Sequence, residues 1–205
     1  MKVLQIPVGQ MANYCYIIAD EETDEAAVID PSWDLDEVFT ALKKNGWTAK
    51  YVINTHSHFD HVLGNEQVAK VTGAKIIQHA ASKLDKDIAI SEGDMIKVGS
   101  IEIKVVHTPG HSKDSVCLIT DGIIFTGDTL FVGNCGRVDL PGSDPREMYH
   151  SLIEKVARFD EKLVVYPGHN YGASPTSTIG REKKINHVLQ PRTEQEFLEF
   201  MGAGG

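Results

Sequence analysis

The sequence predicts an α/β fold for this chain of 205 residues. Short apolar segments typical of strands alternate with segments in which apolar residues recur at helical spacing. Two pairs of strand segments are joined by two-residue turns, Gly99-Ser100 and Asp121-Gly122, which are typical of β-hairpins. The length is that of one domain, and a hydrophobic content of 41% is enough for a sizeable core. We therefore expect a single domain over residues 1–201 and a disordered tail over residues 202–205.

The first half of the chain predicts strands that lead into two amphipathic helices. Residues 35–44 place apolar side chains at a period of 3.6 residues, with Asp34 as the predicted N-cap and Gly46 as the stop. A second helix is predicted over residues 64–71. The predicted strands cover residues 2–8, 13–19, 26–30 and 50–53.

The second half is rich in predicted strands and ends in helices. Residues 145–159 carry apolar residues on one side of a helix. Residues 176–189 are predicted to form a further helix, and a last short helix follows Pro191. The predicted strands cover residues 95–98, 101–106, 115–120 and 123–125.

The segment 54–61, N-T-H-S-H-F-D-H, carries the strongest functional signal. It follows the predicted strand 50–53 directly and contains His56, His58, Asp60 and His61. A tight loop at the end of a strand can direct several short side chains to one point. Because imidazole nitrogens and carboxylate oxygens suit zinc, iron or manganese, this spacing predicts a metal site.

Three later segments repeat the same design, in which an apolar strand runs into a loop of small residues. They deliver His111, Asp128 and His169 in that order. Glycines in these loops permit backbone angles that other residues resist, so the backbone can approach a metal closely. Each segment alone is an ordinary turn, but their order after the first motif indicates one shared site.

In this order the motifs resemble those of the metallo-β-lactamase superfamily, over residues 13–189. The resemblance implies a four-layer αββα sandwich with two metal ions at one edge of its two sheets. Zinc is the preferred metal, with iron and manganese as alternatives. The resemblance implies that the first metal is bound by His56, His58 and His111, the second by Asp60, His61 and His169, and both by Asp128.

The region after Asp128 narrows the resemblance to glyoxalase II-like hydrolases and persulfide dioxygenases. Residues 133–139 resemble their G-C-G-R segment, residues 168–171 their G-H-x-Y segment, and residues 177–186 their S-T-x-x-x-E-x-x-x-N helix. These regions bind glutathione in glyoxalase II. The resemblance therefore implies substrate contacts from Arg137, Tyr171, Lys183 and Lys184. The segment after His169 is shorter than the helical glutathione-binding domain of larger glyoxalase II enzymes, which leaves substrate recognition open.

The predicted function is hydrolysis of a thioester such as S-lactoylglutathione by a metal-bound hydroxide, with Asp60 as the catalytic residue that orients it. The rival prediction is a persulfide dioxygenase with one iron bound by His56, His111 and Asp128. Ligand identity does not discriminate between the two. Lactonase or β-lactamase activity is a weaker alternative. A non-catalytic metal-binding module is another, although a structural zinc is closed at four ligands and needs no second metal.

Composition constrains the partners. The net charge of −9 disfavours a nucleic-acid surface, and no stretch of 18 apolar residues suggests a membrane span. The N-terminus lacks the pattern of a signal peptide, and the three cysteines form no C-x-x-C pair. We therefore expect a cytoplasmic protein whose partner is a small acyl-thiol substrate, for example a glutathione conjugate, and the oligomeric state is left open.

Overall fold

The computed structural model describes residues 1–202 as two six-stranded sheets packed face to face, with helices on both outer faces. Both sheets are mixed, since each contains parallel and antiparallel pairs. This is the four-layer αββα architecture that was expected, and the prediction is confirmed.

The first sheet contains the first six strands in chain order, antiparallel up to the third strand and parallel after it. Helix α1 (Asp36–Asn45) connects the third strand to the fourth, and α2 (Phe59–Val62) and α3 (Asn65–Thr72) connect the fourth to the fifth. The strands are β1 (Lys2–Val8), β2 (Asn13–Ala19), β3 (Glu25–Ile29), β4 (Thr48–Ile53), β5 (Lys75–His79) and β6 (Ile88–Ile90).

The second sheet contains the remaining six strands, with the last strand of the chain at one edge and the others following in reverse chain order; among the described residues its only parallel pair is formed by the fourth and fifth of these strands. Helix α4 (Pro145–Tyr149) lies between those two strands, and α5 (Ile179–Ile185) and α6 (Glu194–Phe200) follow the last one. The strands are β7 (Met95–Val98), β8 (Ile101–His107), β9 (Val116–Thr120), β10 (Ile123–Gly127), β11 (Val164–Pro167) and β12 (Ser177–Thr178).

Strand β2 shows how the sequence produces the layers. Its residues alternate between the two faces of the sheet, and all seven are buried. Tyr16 and Ile18 belong to the core between the sheets, whereas Cys15 and Ile17 pack in the core beneath α1 and α3. A strand covered on both faces carries a continuous apolar run, which is what the sequence has here.

Helix α1 agrees with the prediction in extent but differs at its start. Leu35 occupies the N-cap position and no side chain caps the helix, so Asp34 as N-cap was wrong. Gly46 ends the helix in the left-handed conformation, with φ of 72°, as expected of a stop glycine.

The predicted helix over residues 176–189 was wrong as a single element. Ser177 and Thr178 instead pair with β11 as strand β12, because their backbone completes the edge of the second sheet. Helix α5 then ends at Asn186, whose side chain accepts a hydrogen bond from the Val188 amide and starts a separate 3₁₀ turn. Residues 145–158 form a continuous helical segment, as predicted, but its middle part, His150–Lys155, is a π-helix.

The predicted tail, residues 202–205, begins at the last described residue. Gly202 donates from its backbone to the Glu199 carbonyl in a turn after α6, at 3.1 Å. Residues 203–205 of the predicted tail lie outside the described residues. Within residues 1–202, the helices are all too short or too polar to cross a lipid bilayer.

Candidate metal centre and adjoining cavity

The predicted ligands come together at one edge of the two sheets. The loop after β4 supplies two of them and α2 the next two, while the loops after β8, β10 and β11 supply one each. Backbone hydrogen bonds tie two of these loops to strands of the opposite sheet. The Val116 amide donates to the Thr55 carbonyl at 2.8 Å, and the Tyr14 amide donates to the Gly168 carbonyl at 2.9 Å. The residues brought together are His56, His58, Asp60, His61, His111, Asp128 and His169.

The first group consists of His56, His58 and His111, whose ligand atoms all lie within 4.8 Å of one another. His58 Nδ1 and His111 Nε2 are 2.8 Å apart. His56 Nε2 is buried and has no hydrogen-bond partner among the described residues. A buried nitrogen without a partner is costly, whereas coordination of a metal ion would satisfy it.

The second group consists of Asp60, His61 and His169, also within 4.8 Å. The two Nε2 atoms of the histidines are 3.2 Å apart, and Asp60 Oδ2 lies 3.5 Å from His61 and 3.4 Å from His169. Two imidazoles and a carboxylate that converge in this way form a donor set suited to a divalent transition metal.

Asp128 lies between the two groups. Its Oδ2 is 3.4 Å from His111 Nε2 of the first group and 3.3 Å from His169 Nε2 of the second. Its Oδ1 is buried without a hydrogen-bond partner among the described residues. A Cβ atom at Gly168 would collide with this Oδ1, and one at Gly136 with the Asp128 carbonyl, so both positions require glycine. The residues present fit two metal ions that share one carboxylate.

Burial and neighbouring charges set the protonation of the ligands. Burial, with the neighbouring imidazoles, holds the pKa of His56 well below its ordinary value, and burial likewise lowers the pKa of His58. These imidazoles are therefore neutral, as metal binding requires. Burial alone would lower the pKa of His61, but the carboxylates of Asp128, Asp30 and Asp60 raise it to about 9. A metal ion in the second group must displace this proton on binding.

Hydrogen bonds from outside the two groups orient the ligands. Buried Asp30 accepts from the Thr55 amide and hydroxyl at 2.7 and 2.6 Å, and its Oδ2 lies 3.1 Å from His61 Nδ1. The Asn13 amide donates to the carbonyl and to Oδ2 of Asp60, both at 3.0 Å. Such partners fix the orientation of an imidazole or carboxylate and tune its affinity for metal.

Two further ligands are oriented by backbone carbonyls. His111 Nδ1 donates to the Arg137 carbonyl at 2.8 Å, and His169 Nδ1 donates to the Met11 carbonyl at 2.9 Å. Each contact leaves Nε2 directed at the cluster. The orienting roles of Asp30 and Asn13 were missed by the sequence analysis. The position of Asp30 offered one signal, since it directly follows β3, the parallel neighbour of β4 at the same sheet edge.

A cavity of about 670 Å³ opens onto the ligand cluster. Arg137 and Tyr171, two of the predicted substrate contacts, line it. Lys183 and Lys184 are not among its lining residues, and Lys183 instead pairs with Glu161 at 2.6 Å. The structure thus brings two of the four predicted contacts to the cavity and leaves two away from it.

The S-T-x-x-x-E-x-x-x-N segment supports the cavity wall from behind. Glu182 is fully buried and accepts from the Gly133 amide at 2.8 Å, the Ser177 hydroxyl at 2.5 Å and the Asn186 side chain at 2.8 Å. The Asn186 amide also donates to the Phe131 and Asn134 carbonyls, at 3.2 and 3.1 Å. The segment therefore holds the loop that lines the cavity.

Cys135 also lines the cavity but is unsuited to act as a nucleophile. Burial, followed by the nearby Asp128 carboxylate, raises the pKa of its thiol to about 12. Because the thiolate is the reactive form, this cysteine stays unreactive at neutral pH.

Comparison with known proteins is consistent with this geometry. The model of the metallo-beta-lactamase superfamily matches residues 8–84 and 81–169. The probable polyketide biosynthesis zinc-dependent hydrolase BaeB of Bacillus velezensis is 31% identical over 92% of this chain and 87% of its own length. A hydroxyacylglutathione hydrolase of a Polaromonas species is 39% identical over 78% of this chain, and the match spans 62% of that protein.

Proteins with the name ETHE1 are similar as well. The mitochondrial persulfide dioxygenase ETHE1 of Mus musculus is 31% identical over 92% of this chain and 76% of its own length. The crystal structure of ETHE1 from Myxococcus xanthus superimposes with a TM-score of 0.94 at 28% identity, and covers 98% of this chain and 90% of that one. Since the family match runs through every ligand loop and the two-sheet fold is shared, this chain belongs to the metallo-β-lactamase superfamily of metal-dependent enzymes.

Proposed function

We propose that this chain is a binuclear metal-dependent hydrolase of the glyoxalase II type, which cleaves a thioester into a carboxylic acid and a thiol. The observation that carries the proposal is the pair of ligand groups joined by Asp128. Two members of the second group, Asp60 and His169, are buried and oriented by hydrogen bonds, so that they offer donors for a second metal ion.

We propose zinc for both groups, with iron or manganese as alternatives. The nitrogen and oxygen donors and the similarity to a zinc-dependent hydrolase support this choice. When bound, two such ions lower the pKa of water and polarise a carbonyl group.

Asp60 has a second proposed role as the catalytic residue that orients the attacking water. The Asn13 amide holds Oδ2 of this carboxylate. The carboxylate accepts a hydrogen bond from water and directs its oxygen at the thioester carbon. A carbon–oxygen bond forms and the carbon–sulfur bond breaks, so that water supplies a hydroxyl to the acid and a proton to the thiol.

A glutathione conjugate is one such thioester, and the similarity to the Polaromonas hydroxyacylglutathione hydrolase supports it. Arg137 and Tyr171 are the proposed substrate contacts, since both line the cavity. The positions of Lys183 and Lys184 give no support to their proposed contacts. We further propose a cytoplasmic location, which the three buried free cysteines support because a reducing compartment preserves thiols.

A persulfide dioxygenase is the second candidate. It is favoured by the match to the mouse persulfide dioxygenase over 92% of this chain and by the high TM-score to the Myxococcus structure. In that enzyme class one iron would be bound by His56, His111 and Asp128, with open positions for oxygen.

Metal analysis combined with two assays distinguishes the candidates. Protein purified without added metal is analysed for metal content, for hydrolysis of a series of thioesters, and for oxygen uptake with glutathione persulfide. Two metal ions per chain, thioester hydrolysis and no oxygen uptake are expected. One iron per chain with oxygen uptake would overturn the hydrolase in favour of the dioxygenase.

Asp60→Asn provides a second discrimination. In a binuclear hydrolase this change weakens the second group and removes the orienting carboxylate, so kcat should fall by roughly 10³-fold. A mono-iron dioxygenase should keep its iron and most of its oxygen uptake. Asp85→Asn is the matched control, because Asp85 is exposed and outside the centre.

A further inference from the structure

The cavity beside the metal centre is built mainly from apolar side chains. Metal-centre residues form one end of it, and the remaining lining contains few polar groups. Its apolar and aromatic lining residues are Met11, Phe59, Phe131, Leu140, Pro141 and Tyr171. A cavity of this volume and lining suits a small ligand whose buried part is apolar.

The aromatic wall begins directly at the metal centre. Tyr171 stacks on His169 with a centroid distance of 4.6 Å, and Phe131 meets the Tyr171 ring edge-on at 5.4 Å. The Tyr171 hydroxyl donates to the Met11 carbonyl at 3.0 Å. Its donor is therefore already used, and a ligand can meet only the ring face opposite His169 or the hydroxyl oxygen as an acceptor.

Apolar surface continues from the cavity to solvent. Phe59 is 59% exposed, Tyr171 57% and Met11 41%. Large apolar side chains left exposed together at a cavity mark a binding surface more often than a structural one. A ligand that covers them would gain stabilisation from each apolar atom removed from water.

The cavity offers little to a charged ligand beyond the metals. Arg137 is the single lysine or arginine among its lining residues within the described chain. Its guanidinium makes two hydrogen bonds to Asp139, at 2.6 and 2.7 Å. An acyl-glutathione carries two carboxylates, and a carboxylate brought into an apolar cavity without a cation to pair with is strongly disfavoured.

We propose that the substrates of this site are thioesters with an apolar acyl group on an uncharged thiol arm, rather than polar hydroxyacyl groups on glutathione. The proposal rests on the proposed thioester hydrolase function and adds the substrate class. The acyl chain packs against the rings of Tyr171, Phe131 and Phe59, and the neutral arm extends past Met11.

Four thioesters separate the effect of the acyl group on kcat/KM from the effect of the thiol arm. They combine a hexanoyl or a lactoyl group with N-acetylcysteamine or glutathione. Hexanoyl-N-acetylcysteamine is expected to have the highest kcat/KM, at least tenfold above lactoylglutathione, because each buried methylene contributes about fourfold. A kcat/KM for lactoylglutathione equal to or above that of the neutral hexanoyl thioester would overturn the inference.

Binding of inert thioethers tests the cavity without catalysis. Calorimetry with S-hexyl-N-acetylcysteamine and S-hexylglutathione on the metal-loaded protein is expected to give tighter binding of the neutral compound. Tighter binding of the glutathione compound would overturn the inference. Failure to hydrolyse any of the four thioesters would instead overturn the hydrolase proposal, and the thioether result would still decide the ligand class.

Phe59→Ser links the preference to the wall. Because this side chain is largely exposed, its loss should spare the fold. KM for hexanoyl-N-acetylcysteamine should rise about fivefold, while KM for acetyl-N-acetylcysteamine, which has the same thiol arm and a short acyl group, stays unchanged. Phe200→Ser is the matched control, since Phe200 is similarly exposed on α6 and does not line the cavity. An equal rise in KM for both thioesters, or unchanged KM for both, with metal content intact, would contradict the role of the wall.

Discussion

The metal centre and the cavity wall lie side by side but are built differently. Every ligand in the centre except His58 is buried, and several are held in place by hydrogen bonds from other elements, as Asp30 holds His61. The wall consists of apolar side chains, and Phe59 in it is more than half exposed. The loop that carries Phe131 of the wall is held by hydrogen bonds to the buried side chains of Glu182 and Asn186.

This difference in construction means that one region can determine the reaction and the other the choice of substrate. A ligand in the centre can be replaced only by a residue that puts a donor atom at the same point, so few changes are tolerated there. A wall residue such as Leu140 can be replaced by another of different size without moving a ligand. We therefore expect mutations in the two regions to have separable effects, on metal content in one and on substrate preference in the other.

The largest effect is expected for Asp128→Ala. Because Asp128 faces both ligand groups, its loss removes a donor from each. Metal content should fall from two ions to fewer than one per chain, and kcat/KM should fall by roughly 10³-fold or more. Metal analysis and steady-state kinetics measure the two quantities.

Asp34→Ala is the control for this change, since Asp34 is exposed and distant in sequence from every ligand loop. Circular dichroism of both variants establishes that the fold persists. Retention of two metal ions by folded Asp128→Ala would show that this carboxylate does not bridge, and the distinction between the regions would lose its main support.

The convergence of the seven proposed ligands could be predicted from sequence because the signals are local. Four of the seven proposed ligands lie within six residues, and each of the others lies in the loop that follows a recognisable strand. The spacing of the residues in the loop after a strand determines which of their side chains can converge on one point. The orienting partners could not be predicted, because Asp30 and Asn13 meet the ligands only through the order of strands in the first sheet.

The wall could not be predicted because its contacts span long distances in the chain. Glu182 contacts Gly133 across 49 residues, and the helical pattern of residues 176–189 concealed the short strand β12. Arg137 and Asp139 are only two residues apart, so a pairing between them was open from the sequence. Whether Arg137 bonds to Asp139 or to a substrate depends on the direction of its side chain, which the sequence does not give. Sequence resemblance therefore gave the wall residues a role in binding glutathione that their positions only partly support.

An intermediate effect, confined to the wall, is expected for Glu182→Gln. The new amide group would face donors that now bond to a carboxylate oxygen. Loss of these hydrogen bonds should lower the free energy of unfolding by about 1–3 kcal/mol, which corresponds to a fall in Tm of about 2–12 °C for a chain of this length. KM for an apolar thioester should rise several-fold as the loop loosens, while metal content stays at two ions.

Differential scanning calorimetry, metal analysis and kinetics on the same preparation test this separation. Glu199→Gln is the matched control, because Glu199 is exposed on α6. A parallel loss of metal and stability in Glu182→Gln would show that the wall and the centre form one cooperative unit.

The smallest effect is expected for Asp139→Asn, which removes the partner of the cavity-lining Arg137. Asp139 engages the guanidinium of Arg137, and the pairing raises the pKa of Arg137 and lowers the pKa of Asp139. Loss of the carboxylate charge frees the arginine for an anionic ligand. Because exposed ion pairs are weak, KM for a glutathione thioester should fall only about two- to fivefold, and KM for the matching N-acetylcysteamine thioester should not change.

Glu102→Gln, which breaks the exposed pair with Lys97, is the control and should alter neither value. An unchanged KM for the glutathione thioester in Asp139→Asn would mean that Arg137 does not reach the thiol arm even when released. The wall would then select its substrates by apolar contact alone.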